Sequence, residues 1–327
     1  MSIDYHPFSE FVRILGRGKR ASRSLTFDEA RHAMAMILRD EVEPLQLGAF
    51  LMLLRVKEET GEEIAGFVSA AKEHYQLSGT QAVDVDWSSY AGKRRQLPWF
   101  VLSARLLADQ GIKILIHGTD GHADKRIYTR SVFEALGLPI AEDLTQAQSL
   151  LQQHNLVYLP LSGFAPRLQD LIELRPLLGL RSAIHTMTRL LNPLNAPHSI
   201  QSIFHPGYLK IHQDANKLLN MTRAWTIKGE GGEVEINPDM NTPLFMANGE
   251  NCSETSIESF FKGFKHPKEE ALAIDDLISV WQGEKTHPYG ERAIIETCAL
   301  ILMLLQKAED MKIARSKAET LWASRNP

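Results

Sequence analysis

Residues 82–111 read AVDVDWSSYAGKRRQLPWFVLSARLLADQG. The run "AVDVDW" has a strand-like pattern, and "FVLSARLLADQG" has a helical one. Between them lies the loop "SSYAGKRRQLPW", residues 88–99. A loop that joins a strand to a helix is where α/β proteins hold phosphate. Such loops are usually rich in glycine, which lets backbone N–H groups approach the anion with no Cβ in the way. This one has a single Gly92, followed by Lys93, Arg94 and Arg95. It is either a cradle for the phosphate of a small substrate or a basic edge for something larger.

Upstream, the chain reads as helices. "FDEARHAMAMILRD" puts Ala30, Ala33, Met34, Ile37 and Leu38 on one face, with Asp28 and Glu29 in the first turn and Thr26 as N-cap. "EPLQLGAFLMLLRVK" is a more hydrophobic helix with Pro44 near its start. "TGEEIAGFVSAAKEHY" opens on a capping box, Thr60 with Glu63. Downstream, short apolar runs alternate with helices: "IKILIHG", "RIYTRSVFEALG", "NLVYLP", a helix near 166–178, "IQSIFH", "PGYLKIHQDANKLLN" and "RAWTIKG". That alternation predicts βαβ units and a largely parallel sheet. Residues 237–255 read as loop, and 288–324 as helical. The expected fold is therefore α/β with a small all-α N-terminal domain, residues 1–78. The larger domain, residues 79–327, holds a mostly parallel sheet flanked by helices.

The 327 residues are 44% hydrophobic and 23% charged, enough for a substantial core. No apolar run approaches the ~20 residues that cross a bilayer. The opening "MSIDYHPFSE" lacks the basic-then-apolar pattern of a secretory signal. The only cysteines, Cys252 and Cys298, have no metal-like spacing and read as inert. These features point to the cytoplasm and away from membranes. A net charge of −4 excludes a uniformly basic nucleic-acid binder but not local patches.

Four stretches in register carry a family resemblance across residues 30–235. "ILRDEVEPLQLGAFLMLLRVKEETGEEIAGF" resembles the N-terminal helical signature of the anthranilate phosphoribosyltransferase family, glycosyltransferase family 3. "IHGTDG" stands where that family has Lys-His-Gly-Asn. "LRPLLGLRSAIHTMTRLLNPL" and "SIFHPGYL" resemble its arginine-rich segment and its Phe-His-Pro-Gly turn. The resemblance implies a small α domain on a larger α/β domain, with dimerisation through the helical domain. It also implies the family's site positions: Gly92 in the phosphate loop, His117, Gly118 and Thr119 after it, and Arg175 facing a carboxylate. Arg181, Asn192 and Pro193 match as well.

The departures from the family are as informative. The Gly-Thr-Gly-Gly-Asp loop that cradles pyrophosphate in active members corresponds here to "SSYAGKRRQL". The lysine before His-Gly is Ile116. The acidic pair that holds Mg²⁺ falls at Val234-Glu235, or at Glu233 and Glu235 if the register shifts by one. Glu230, Glu233 and Glu235 read as solvated loop acids rather than a metal site, with Glu235 the one candidate ligand. His117 and His205 read as structural.

Three basic runs stand out. Arg94 and Arg95 follow Lys93. Arg17, Lys19 and Arg20 lie within an N-terminal run that also holds Arg13 and Arg23. Lys125 and Arg126 precede Arg130. Tyr90 and Trp99 flank the first run and either stack on bases or pack in the core. These features, with "GRGK" at residues 16–19, resemble a divergent, YbiB-like branch of the family. That resemblance implies a homodimer binding DNA or RNA in basic grooves with little sequence preference and no cofactor. The alternative is a Mg²⁺-dependent phosphoribosyltransferase acting on anthranilate or a related aromatic amine. No residue is assigned a catalytic role.

Overall fold

The computed structural model describes residues 4–77, 83–121, 126–266 and 272–326. Helices α1 (Ser9–Gly16), α2 (Gly18–Ala21), α3 (Phe27–Leu38), α4 (Pro44–Lys57) and α5 (Gly61–His74) form the N-terminal bundle. Reciprocal capping boxes start α3 (Thr26 with Glu29) and α5 (Thr60 with Glu63), and Pro44 opens α4. Each satisfies, or does without, an N–H group that the first helical turn leaves unpaired. Ala30, Ala33, Met34, Ile37 and Leu38 are all buried, as their spacing requires. The expected boundary between residues 78 and 79 lies outside the described residues.

Strand and helix then alternate: β1 (Val85–Ser89), α6 (Phe100–Ala108), β2 (Ile114–Gly118), α7 (Thr129–Ala135), α8 (Leu144–His154) and β3 (Leu156–Pro160). Short helices α9 (Pro166–Glu173), α10 (Arg175–Leu178) and α11 (Ile184–Met187) lead to β4 (His198–Ser202), α12 (Tyr208–Leu218) and β5 (Arg223–Ile227). The strands β6 (Thr242–Asn248) and β7 (Asn251–Ile257) precede α13 (Ile274–Gln282), α14 (Pro288–Leu304) and α15 (Met311–Ala323).

The sheet order is β3-β2-β1-β4-β5-β6-β7, with the first five strands parallel and the last two antiparallel. The parallel strands are buried on both faces, which explains their near-continuous apolar runs. One face packs on α8, α9, α11 and the N-terminal bundle, the other on α6, α13, α14 and α15. The hairpin β6–β7 corrects the expectation of a loop at 237–255. Six of the seven β7 residues are exposed, so this edge strand carries no apolar alternation that sequence reading could detect. No helix among the described residues is long and apolar enough to cross a membrane.

The topology sets the site. From β1 the chain moves outward to β2 and β3, and from β4 it moves the other way to β5. Between β1 and β4 the loops at the carboxyl ends diverge and leave a crevice, the usual ligand position in such sheets. The loop after β1 is "SSYAGKRRQLPW", and the loop after β4 carries Phe204 and His205.

Candidate functional site

The loop after β1 is held from three sides. Glu233 Oε1 accepts hydrogen bonds from the backbone N–H groups of Ala91 (2.7 Å) and Gly92 (2.6 Å). Arg126 Nη1 donates to the carbonyl oxygens of the same two residues, both at 2.9 Å. Lys93 exchanges two backbone hydrogen bonds with Ile127, each 2.8 Å. Gly92 sits at φ +65°, and a Cβ there would lie 2.8 Å from the Tyr128 ring, so both conformation and space require glycine.

Lys93 departs from expectation. Placed by the sequence on an open basic edge, it is 1% exposed, and its Nζ lies 2.6 Å from Glu235 Oε1. Glu235 Oε2 also accepts from the N–H of Phe100, the first residue of α6, at 2.9 Å. The loop acids are likewise not solvated. Glu233 and Glu235 are fully buried and Glu230 is half-buried. Extended backbone at Glu233 and the loop's return toward the sheet carry both carboxylates inward, which local polarity does not reveal. Burial pushes both carboxyls up from their ordinary range. Lys93 pulls Glu235 back down, while the Gly92 N–H, the Ser89 hydroxyl, the Ala91 N–H and Arg189 do so for Glu233. Glu233 Oε2 makes no well-aligned hydrogen bond.

Of the other expected cations, Arg94 and Arg95 are exposed at the loop's tip, and Arg17 and Arg20 at the α1–α2 corner. Arg126 is committed to the loop backbone, so it is a brace rather than a free phosphate contact. Arg23 pairs with Glu29, and Arg130 with Asp120 and Glu134. The Lys19 side chain and Lys125 lie outside the described residues. Trp99 is buried against Gly290 of α14 and is a packing residue. Tyr90 is buried too. Its hydroxyl lies 2.8 Å from His117 Nδ1, and burial holds the phenol well above its usual pKa. His117 Nε2 lies 3.2 Å from Asp86 Oδ1, within ion-pair range but poorly aligned for a hydrogen bond. His117 is therefore fully buried between Tyr90 and Asp86. His205 is exposed, with its ring edge-on to Phe204.

Two adjoining cavities open beside this loop. One, about 310 Å³, is lined by Tyr90, Thr119, Gly121, Tyr128, Arg175, Arg181 and His185. The other, about 110 Å³, is lined by Arg55, Arg181, Ser182, His185, Arg189, Phe204, His205 and His212. Arg181 and His185 belong to both walls. Sequence reading matched Arg175 and Arg181 to family positions but missed Arg55 and Arg189, which reach the cleft from α4 and from the turn after α11. Among the described residues, no carboxylate lies within ion-pair distance of Arg55, Arg175, Arg181 or Arg189. Arg189 is 8% exposed, and its pKa is lowered to about 10 by burial first and by Arg181 second. Arg181 is lowered by burial and by Arg175 and Arg126. Burial first, then Arg181, Arg189 and Arg175, lower His185 to about 3. His212 is likewise near 3 through burial, then Arg189. Phe204 is 55% exposed on the rim. A larger cavity, about 540 Å³ between α6, α14 and α15, holds none of these residues. The cleft is thus a concentration of positive charge with no ion-paired carboxylate among the described residues, which an anion would stabilise.

Two domains of one glycosyl transferase family match the chain: the helical bundle domain over residues 10–75 and the a/b domain over residues 100–324. An uncharacterized protein of Escherichia coli, YbiB, is 31% identical over 240 residues, 71% of this chain and 73% of that one. The anthranilate phosphoribosyltransferase of Oleidesulfovibrio alaskensis is 29% identical over 273 residues, 78% of this chain and 80% of that one. Among solved structures, anthranilate phosphoribosyltransferase from Thermus thermophilus superposes with a TM-score of 0.80 at 20% identity, covering 98% of this chain and 95% of that one. The Saccharomyces cerevisiae enzyme in complex with PRPP and Mg gives 0.76 at 18% identity, covering 97% and 93%.

Two outcomes follow from this geometry. Lys93→Ala strands Glu235 as a buried, unpaired charge and is expected to lower stability by about 3–5 kcal/mol in urea unfolding. Adding Glu235→Gln should recover much of that loss, and a single-variant loss below about 1 kcal/mol would refute the pair's burial. For His185 and His212, the folded pKa lies below the unfolded value of about 6.5. Their neutral forms therefore add nothing adverse above that pH, but the unfolded chain gains protons first as pH falls. Stability should drop by up to about 1.4 kcal/mol per histidine per pH unit between pH 6.5 and 5. His212→Gln should flatten that slope in urea titrations, and an unchanged slope would exclude His212 as its source.

Proposed function

The chain belongs to the glycosyl transferase family that joins a helical bundle domain to an a/b domain. From that premise we propose that it is a divergent, anthranilate phosphoribosyltransferase-like member that binds nucleic acid in its arginine-lined cleft. We further infer that it does so with little sequence preference, as a homodimer in the cytoplasm.

The observation that carries this reading is the pair of half-buried and buried guanidinium groups, Arg181 and Arg189, in the cleft wall, neither with a carboxylate in ion-pair distance among the described residues and Arg189 held by the His185 carbonyl. Buried charge without a counter-ion is costly, and a bound phosphate removes the cost. The cations outnumber what one small anion needs. Arg55, Arg175, Arg181 and Arg189 span two joined cavities, and Arg94 and Arg95 continue the positive surface on the neighbouring loop. Phe204 offers an exposed aromatic face on which a base can stack. Phosphate contacts of this kind position a chain without reading its sequence.

A second reading is favoured by the cavity at Arg175, whose size suits a small aromatic acid. This is Mg²⁺-dependent transfer of a phosphoribosyl group to anthranilate or a related amine. The carboxylates present do not fit the metal. Glu233 is committed to two backbone N–H groups, and a cation on Glu235 would sit against the Lys93 ammonium. The same commitments occupy the N–H groups that a pyrophosphate would need. The nucleic-acid reading is therefore preferred.

Support for the homodimer comes from α4. Leu45 is 89% and Val56 81% exposed, and with Ala49 and Met52 they share one helix face. An apolar strip of this kind suits a second copy of the same surface.

The tests are direct. A labelled single-stranded oligonucleotide should bind in fluorescence polarisation, with log affinity falling linearly with log salt at about −0.7 per phosphate contacted. Arg181→Glu should abolish binding at moderate salt. Replacing Arg94 and Arg95 by alanine should make the slope shallower by about one to two units. Absence of binding at low salt would refute the proposal, and product formation from anthranilate, phosphoribosyl pyrophosphate and Mg²⁺ would replace it with the second reading. For the dimer, Leu45→Glu with Val56→Glu should give a monomer in sedimentation velocity, and a monomeric parent protein would exclude it.

A further inference from the structure

The Glu235 N–H donates to the Glu233 carbonyl at 2.8 Å, a tight turn around Val234 that brings the two glutamates close together. Glu233 has φ −94° and ψ 159°, and Val234 between the two glutamates is fully buried. Both carboxylates consequently meet the β1–α6 connection, but at different points. Glu233 Oε1 takes the two successive N–H groups of Ala91 and Gly92 at 2.7 and 2.6 Å. Glu235 takes the N–H of Phe100, at the start of the nine-residue α6, and the Lys93 ammonium. A pair of turn N–H groups, a helix N-terminus and a lysine are the donors with which α/β proteins hold phosphate. Phosphate and carboxylate oxygens make the same charge-assisted hydrogen bonds. Every donor in this set is already satisfied by the chain itself.

We propose that Glu233-Val234-Glu235 is a built-in diphosphate mimic, an internal ligand whose two carboxylates occupy the two halves of a latent diphosphate site. The backbone supports a fixed insertion. A Cβ on Gly229 would lie 1.8 Å from the Glu233 carbonyl oxygen, so the segment folds tightly on itself as it enters. The Glu230 N–H donates to the Glu235 carbonyl at 2.9 Å, closing the turn. Each carboxylate is fully shielded from water, so it competes with an external anion at very high effective concentration. The insertion also orders the loop without substrate and leaves Arg94 and Arg95 facing solvent.

The probe is inorganic pyrophosphate without metal, followed by thermal shift and by amide exchange at Ala91 and Gly92. The parent protein should show protected amides and no shift at millimolar pyrophosphate. Glu233→Ala should lose that protection, bind pyrophosphate at least tenfold more tightly than the parent, and regain protection when it does. Glu233→Asp, which keeps the charge but withdraws it by one methylene, should fall between the two. A Glu233→Ala chain that folds only when pyrophosphate is present supports the proposal equally. Parent protein that binds pyrophosphate as well as the variant overturns it, as does a variant that pyrophosphate neither binds nor rescues. The outcome is separate from the nucleic-acid reading, which is decided by Arg181 and oligonucleotide affinity in the parent protein.

Discussion

The buried contact between Lys93 and Glu235 is the constraint on which the site depends. Removing an ammonium and a carboxylate from water costs several kcal/mol per ion, and their attraction repays this only when other hydrogen bonds complete the arrangement. Here they do. Phe100 N–H takes the second oxygen of Glu235, and Lys93 exchanges two backbone bonds with Ile127. Glu233 then closes on Ala91 and Gly92 beside it. Together these contacts turn a loop that a strand–helix unit would leave open to an anion into a closed, ordered element.

That closure redirects the protein's charge. The cation nearest the phosphate position is neutralised in the core, while Arg94 and Arg95 are left on the surface. The positive charge gathers instead on the cleft wall, where Arg55, Arg175, Arg181 and Arg189 stand without an ion-pairing acid among the described residues. A net charge of −4 therefore conceals a strongly positive crevice, because the acids sit on other faces or are buried. The depressed pKa values of His185 and His212 arise from that burial and that crowding of arginines.

Much of the architecture was legible in the sequence because it rests on local signals. Thr26 with Glu29 and Thr60 with Glu63 announced helix starts, and alternating apolar runs announced a parallel sheet with helical cover. The β6–β7 hairpin was not legible, since β7 is an edge strand with no buried face to impose a pattern. The site was legible only in outline. Arg175 and Arg181 were found by motif. Arg55 and Arg189 carry no local mark and reach the cleft only when α4 meets the start of α12 and the turn after α11 packs beside β4.

The sequence by itself determined the helical bundle, the βα alternation and the position of a basic loop between β1 and α6. These follow from helix capping, periodicity and chain direction, which act over a few residues. Only the tertiary structure decided that Lys93 points inward, that Glu233 and Glu235 are buried, and that four arginines share one cleft. The physical reason is that the partners lie far apart in the chain, 142 residues between Lys93 and Glu235. Whether a charge is solvated or paired depends on what folds against it.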